Sequence, residues 1–255
     1  MEPVTSQGKS EATENFPVAA RFLTSAHRAA VMDFYRAARA ADDIADDPDL
    51  PADEKVARLD ALAVERLPSP HFAKLLQAFR QDATKSRYRD WSDLMLYCRF
   101  SAVPVGRFLL DLHGEGGAAL PAADALCTAL QVLNHLQDCG DDYRMLDRVY
   151  LPTAWMNAEG AHLADLGEGR TKPALRRVLD RALDRVDELL VQARPLSLQV
   201  GDRRLALQAA ITVAVAERLA RKLRRRDPLA SRIRLSKAGY AMACARGGLR
   251  WLLRR

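Results

Sequence analysis

An all-α fold is expected of this 255-residue chain, and three features point to it. Strand patterning is nearly absent, with no alternating Val, Ile, Thr or aromatic runs bounded by hairpin turns. Apolar residues instead recur at three- and four-residue spacings, as in Leu175, Val178, Leu179, Ala182, Val186, Leu189 and Leu190. Prolines punctuate that pattern at helix-sized intervals. No internal repeat or long linker interrupts the chain, so a single helical domain is the simplest architecture.

The elements can be taken in order. A first helix is expected over 19–45, between Pro17 and Pro48. A second, 53–65, follows Pro51 and stops short of Pro68, and a third, 71–83, starts behind Pro70. The fourth, 90–113, holds Pro104 in its interior, where a missing N–H kinks or breaks a helix. The fifth, 121–145, opens at Pro121 and ends before Pro152. The sixth, 173–194, carries Pro173 in its first turn, where no N–H is needed. Helices over 201–225, ahead of Pro228, and over 236–254 complete the chain. Residues 1–14 are expected to form a flexible N-terminus, and 15–255 the domain.

Composition narrows the class of protein. With 49% apolar residues the chain can bury a core, which excludes disorder for most of its length. Cys98, Cys127, Cys139 and Cys244 form no CxxC pair, so neither a disulfide scaffold nor a thiolate zinc site is expected. No apolar run reaches 18 residues, and Met1 to Phe16 lack the features of a signal peptide. A cytoplasmic protein is the expectation. The net charge of +6 hides an asymmetry: residues 218–255 hold 13 Lys/Arg against Asp227 alone, or +12, leaving −6 for the rest. A basic tail on an acidic body is not the pattern of a whole-domain nucleic-acid binder. Gly248 to Arg255 reads equally well as core packing or as a peripheral membrane contact, with Trp251 and Leu on acyl chains and Arg on headgroups.

Two helical segments carry the chemistry. In the first, Tyr35, Arg39, Asp42, Asp43 and Asp46 fall within twelve residues. Asp42 and Asp46 stand four apart on one face, with Arg39 three residues before Asp42. Like charges at that spacing destabilise a helix, and no Lys or Arg follows to relieve them. A cation would, and carboxylate oxygen favours hard ions such as Mg²⁺. Alone, an acidic helix end running into the loop before Pro48 would explain the segment as well. In the second, Gln131, Asn134, Asp138 and Asp142 fall at i, i+3, i+7 and i+11, a polar stripe down three turns. Beside Leu133 and Leu136, that stripe suits a cavity wall. If the two helices face each other, four carboxylates can hold divalent ions that grip a diphosphate. The C–O bond of such a substrate could ionise to a carbocation inside a dry, apolar wall.

These residues resemble the paired Asp-rich motifs of the squalene/phytoene synthase family. Tyr35, Arg39, Asp42, Asp43 and Asp46 match the first motif. Gln131, Asn134, Asp138 and Asp142, followed by Arg148, Tyr150 and Pro152, match the second. Tyr97, Cys98, Val105 and Gly106 lie in a third segment similar to the family's YCxxxAxxVG. The resemblance spans roughly residues 15–250. It implies an isoprenoid-synthase helical bundle around a central cavity, and a prenyl diphosphate bound through Mg²⁺. It also implies Asp42, Asp46, Asp138 and Asp142 as metal ligands, with Asp42 and Asp138 central to catalysis. Tyr35, Arg39, Gln131 and Asn134 would meet the diphosphate or its metals, Tyr97 the reacting carbons, and Tyr240 the phosphates.

Departures from the family pattern suggest a branch. Gln137 precedes Asp138 where condensing members carry Arg; Glu14 to Val18 replaces a Ser-rich start; and Pro104 stands where others have Thr or Leu. These resemble the bacterial hydroxysqualene synthase branch of hopanoid biosynthesis, from which Ala20 and Val103 depart (Ser and Asn are expected). That branch implies conversion of presqualene diphosphate and water to hydroxysqualene. It also implies a companion presqualene diphosphate synthase and a reductase, and Gln137 is expected at the substrate, able to orient a water. A condensing squalene or phytoene synthase using two prenyl diphosphates, and an inactive helical scaffold, are the alternatives. His135 is expected to pack or hydrogen-bond rather than act as a base. His27, His71, His113 and His162 lack ligand spacing. Trp91, Trp155 and Trp251 are expected in the core or an interface. No Gly-rich dinucleotide loop is present, so no nicotinamide is expected.

Overall fold

The computed structural model describes residues 23–65 and 69–254. Eleven helices run through them: α1 Ser25–Asp46, α2 Ala52–Glu65, α3 Pro70–Thr84, α4 Trp91–Ser101, α5 Val103–Leu112, α6 Leu120–Leu146, α7 Thr153–Glu159, α8 Pro173–Ala193, α9 Leu196–Gln199, α10 Arg203–Arg225 and α11 Lys237–Arg254. Short 3₁₀ turns lie at Gly117–Ala119 and Leu163–Gly167. Among the described residues there is no strand, only an isolated bridge between Arg87 and Val149. The N-terminal residues 14–18, Ala20 and the expected flexible segment 1–14 lie outside the described residues.

Local chemistry sets the helix ends. Thr24 caps α1 by accepting from the His27 N–H at 3.2 Å, and Asp202 caps α10 through the N–H groups of Arg204 and Leu205, each at 2.8 Å. Such caps contribute about 1 kcal/mol each. Prolines open α3, α5, α6 and α8, as their fixed φ allows. The expected helix 90–113 is two helices. Pro104 removes a backbone donor and its ring displaces a carbonyl, so the chain breaks at Ala102 before α5 begins. The short helices α7 and α9 fall in stretches too brief for periodicity to reveal.

The long α6 is the central element, packed against α8, α5, α10 and α4. Its second half is buried nearly all round, from Val132 and Leu133 through Leu136 to Cys139 and Gly140. Each fully buried Leu there contributes about 2 kcal/mol. The stripe Leu175, Val178, Leu179, Ala182, Val186 and Leu190 is buried as its spacing predicts. Helices α1 to α3 close one side through a second cluster that includes Phe34, Leu59, Phe72 and Leu76. On the opposite side α11 lies along α10. A Cβ on Gly247 would stand 2.7 Å from the Ala210 oxygen and the Ile211 Cα, so only glycine permits that approach. Among the described residues, no helix is long and apolar enough to cross a membrane.

Candidate active site

A cavity of about 130 Å³ lies between α4, α5, α6 and α10. Its wall is mainly apolar, including Val105, Leu126, Leu130 and Leu205. The polar exceptions are Ser101, Gln131, Asn134, Gln208 and Thr212. Gln131 and Asn134 belong to the polar stripe of α6, so that stripe does border a cavity.

One turn before Ser101 on α4, Tyr97 enters a buried polar cluster. Its hydroxyl donates to Asp82 at 2.8 Å, and the Tyr150 hydroxyl donates to the other Asp82 oxygen at 3.3 Å. Tyr88 stacks on Tyr150 with ring centroids 5.4 Å apart, and His135 stacks on the same ring at 3.6 Å. His135 also lies 3.3 Å from the Gln131 amide, so it packs and hydrogen-bonds as expected. Burial pushes the Asp82 carboxyl up to about 7, against the lowering effects of Arg148 and the Tyr97 hydrogen bond. Burial and the Asp82 charge raise both Tyr97 and Tyr150 well above the usual phenol range, so both rings stay neutral. Burial opposes the Arg148 charge, but Asp82, Tyr150 and Asp46 outweigh it and hold that guanidinium above its ordinary value.

Arg148 joins this cluster to the first Asp-rich segment. It pairs with Asp46 at 2.5 Å and donates to the Ala45 carbonyl at 2.8 Å. Earlier on α1, Arg39 pairs with Asp42 and Asp43, both at 2.7 Å. Tyr35 stands one turn further back, its hydroxyl oxygen buried. On α6, Asp138 pairs with Arg232 at 2.8 Å and accepts a hydrogen bond from it at 2.9 Å. Asp142, half-buried one turn later, acts electrostatically on both Cys139 and Tyr150. Of the expected site residues, Gln131 and Asn134 line the apolar cavity, and the acids and buried tyrosines lie outside its lining.

A model of the squalene/phytoene synthase family matches residues 10–66 and 56–239 of this sequence. The chain belongs to the squalene/phytoene synthase family. It is 43% identical to the hydroxysqualene synthase of Rhodopseudomonas palustris, over 92% of this chain and 88% of that protein. Identity to the hydroxysqualene synthase of Zymomonas mobilis is 40%, over 95% and 90%. The phytoene synthase of Mycobacterium tuberculosis is 31% identical over 68% of this chain and 67% of its own. Among solved structures, a squalene synthase from Alicyclobacillus acidocaldarius aligns with a TM-score of 0.69 at 31% identity, covering 82% of this chain and 87% of that one. A dehydrosqualene synthase shares the fold at 21% identity, with a TM-score of 0.77 over 94% and 92%.

For this member of the family, the four carboxylates do not form a ready-made cluster. Among the described residues no three acidic, His or Cys side chains converge closely enough to hold one ion. Like charges repel, and Arg39, Arg148 and Arg232 neutralise three of the four acids. The donor set still fits magnesium, which takes one or two carboxylates per ion and completes its shell with water and phosphate oxygen. Asp42 with Asp46, and Asp138 with Asp142, are two such pairs on consecutive helical turns.

Two expected substrate contacts fall elsewhere. Gln137 is 3% exposed, and its amide donates to the Ile233 carbonyl. It neighbours Asp138 in sequence, but a helix turns successive side chains about 100° apart. The Gln137 and Asp138 contacts together pin the segment before α11 onto α6. Tyr240 sits in the first turn of α11 and packs in the small cluster of Ile211, Val215 and Ala243, because α11 lies flat on α10. It does not line the cavity. Three contributors escaped the motifs: Asp82, Arg232 and Gln208. Asp82 left a trace, since it continues the buried stripe of α3 through Phe72, Leu75 and Phe79.

Proposed function

We propose that this protein is a hydroxysqualene synthase, converting presqualene diphosphate and water to hydroxysqualene and diphosphate. In reaction class it is a carbon–oxygen lyase acting on a prenyl diphosphate. The observation that carries this reading is the 40–43% identity to named hydroxysqualene synthases over about nine-tenths of the chain. The geometry supports the chemistry: α6 places Gln131 and Asn134 on the wall of a mainly apolar cavity and carries Asp138 one turn further on.

Asp42, Asp46, Asp138 and Asp142 would hold magnesium. Bound magnesium neutralises the diphosphate and makes it a better leaving group. Arg39 would turn its charge to phosphate oxygen, with Tyr35, Gln131 and Asn134 as neutral donors. The face of Tyr97, a neutral phenol one turn before Ser101 on α4, would stabilise the cation left on carbon. The apolar wall delays quenching until rearrangement is complete. A companion synthase supplies the presqualene diphosphate, and a reductase consumes the alcohol.

Product analysis by mass spectrometry tests this. With Mg²⁺ and presqualene diphosphate, the purified protein is expected to release diphosphate and hydroxysqualene. Farnesyl diphosphate alone is expected to remain unchanged. Untouched presqualene diphosphate, or squalene formed without a reductase, would sink the reading. Turnover of farnesyl or geranylgeranyl diphosphate would favour a condensing synthase.

The same reading extends to peripheral membrane contact. Met242, Arg246, Leu249 and Leu253 fall at i, i+4, i+7 and i+11 on α11, with Leu249 57% and Leu253 77% exposed. Trp251, in contrast, is buried. A C30 alcohol leaves most readily into lipid. Co-sedimentation with vesicles containing anionic lipid is expected, and Leu249→Ser with Leu253→Ser should weaken it at least about tenfold, since each exposed Leu adds roughly 1–2 kcal/mol on burial. Equal binding by both proteins would remove α11 from this role.

A further inference from the structure

A second cavity, a groove of about 710 Å³, shares no lining residue with the first. Its volume falls within the roughly 300–1,000 Å³ usual for small-molecule sites. The two lie on opposite faces of the same helices. On α4, Ser101 borders the first cavity, while Met95, Leu96, Arg99 and Phe100 line the groove. On α6, Leu126 and Leu130 border the first, and Asp124 and Thr128 the groove. Spacings of three and four residues set each group on one helix face.

The groove combines charge, an open hydroxyl and apolar surface. Lys74, Arg99 and Arg107 line it against one acid, Asp124, a balance of 3 − 1 = +2. Arg107 donates to both Asp124 oxygens, at 3.0 and 2.6 Å, so that pair is internally neutral. Lys74 and Arg99 are both exposed, and among the described residues neither has an ion-pair or hydrogen-bond partner. Thr128 is only 8% exposed, and its hydroxyl also has no partner among the described residues. That oxygen is not sealed from solvent as the Ser101 and Gln208 oxygens are. A buried side chain that lines the groove, with an accessible and unpartnered hydroxyl, presents a donor to whatever occupies it. Met95, Leu96, Phe100 and Leu189 supply the apolar part, with Leu96 51% exposed.

We propose that this groove is a second binding site, separate from the catalytic one, for a prenyl diphosphate. The choice of ligand rests on the prenyl-diphosphate chemistry read above. The diphosphate meets the Arg99 guanidinium, the Lys74 ammonium and the Thr128 hydroxyl, and the hydrocarbon chain lies on the apolar side chains. Charge selects the head group: a diphosphate balances two free cations, whereas a carboxylate balances one. Binding here needs no metal, because Arg107 already holds the groove's one carboxylate. That separates it from the four acids of the catalytic site, which would bind diphosphate through Mg²⁺.

Equilibrium dialysis of farnesyl diphosphate in EDTA tests the assignment. The wild type is expected to bind one molecule per chain. Arg99→Gln with Lys74→Gln, both at exposed positions, should weaken binding at least about tenfold, and Thr128→Val about threefold. Arg39→Gln, in the first Asp-rich segment, should stay within about twofold of wild type. Farnesol, inorganic diphosphate and palmitate should each bind at least about tenfold more weakly than farnesyl diphosphate, since each lacks the chain or the double charge. No binding in EDTA, equal affinity in the Arg99 and Lys74 double variant, or a loss in Arg39→Gln instead would overturn the site. Palmitate binding as tightly as farnesyl diphosphate would overturn the choice of head group. With Mg²⁺, the double variant should turn over presqualene diphosphate within about threefold of wild type; a larger loss would mean that these cations serve the catalytic site. If the wild type leaves presqualene diphosphate untouched while dialysis gives the expected result, the function reading fails and the groove stands.

Discussion

Asp138→Asn is expected to lower diphosphate release about 10³-fold, equivalent to ~4 kcal/mol of lost transition-state stabilisation. Asp138 is mostly buried on the α6 stripe and held in an ion pair with Arg232 that includes one hydrogen bond. Its partner in charge is therefore already in place, and an amide at this position keeps the volume while losing the negative oxygen a hard cation requires. Half-saturating Mg²⁺ should rise at least about tenfold in the same variant, and circular dichroism should show unchanged helix content. Asp42→Asn on α1 should give a loss of similar size. The double variant should lose much less than the sum, because both carboxylates serve one leaving group. A control separates chemistry from the pinning of the segment before α11. Gln137→Met loosens that segment at Ile233 without touching an acid, and should reduce diphosphate release less than about tenfold. Wild-type magnesium dependence in Asp138→Asn, or an equal collapse in Gln137→Met, would count against the assigned role.

Much of the helical architecture was legible because its signals are local. Periodicity exposed α8, proline placement bounded most helices, and Pro104 marked where the fourth expected helix divides. The polar stripe of α6 was legible for the same reason, since an i, i+3, i+7, i+11 pattern is fixed by helix geometry alone. Contacts across the fold were not. Arg232 reaches Asp138 over 94 residues, and Arg148 reaches Asp46 over 102. Nothing in local spacing announces such pairs. Gln137 shows the same limit: its bond to the Ile233 carbonyl, 96 residues away, is not announced by its adjacency to Asp138. Asp82 is the instructive case between these. Its position on the buried stripe of α3 was visible, but an acid on an apolar stripe gains meaning only once two tyrosines and an arginine from other elements surround it.

Replacing Asp82 by Asn should remove a loss of stability that the wild type suffers as pH rises from about 4 to about 7. The Asp82 carboxyl has an ordinary value of 3.8 and stands at about 7 in the folded protein, chiefly through burial. Below pH 4 both folded and unfolded chains hold the proton, and the fold bears no penalty. As pH rises toward 7 the unfolded chain releases that proton while the folded chain keeps it, so stability is lost progressively and then levels off. The gap corresponds to a loss on the order of 4 kcal/mol. Asn carries no proton to lose, so urea unfolding should show Asp82→Asn gaining on the wild type by about that amount between pH 4 and pH 8. Parallel profiles would mean that Arg148, Asp46, Asp42 and the surrounding phenols Tyr88, Tyr97 and Tyr150 leave Asp82 unperturbed. Activity should move the other way. Only a carboxylate accepts from both Tyr97 and Tyr150, whose hydroxyls stand 2.8 and 3.3 Å from its oxygens. An amide presents one acceptor and one donor, so one ring loses its anchor. Turnover should therefore fall about 10–100-fold in a protein that is more stable at pH 8, as expected where a strained buried charge is kept for the site it orders.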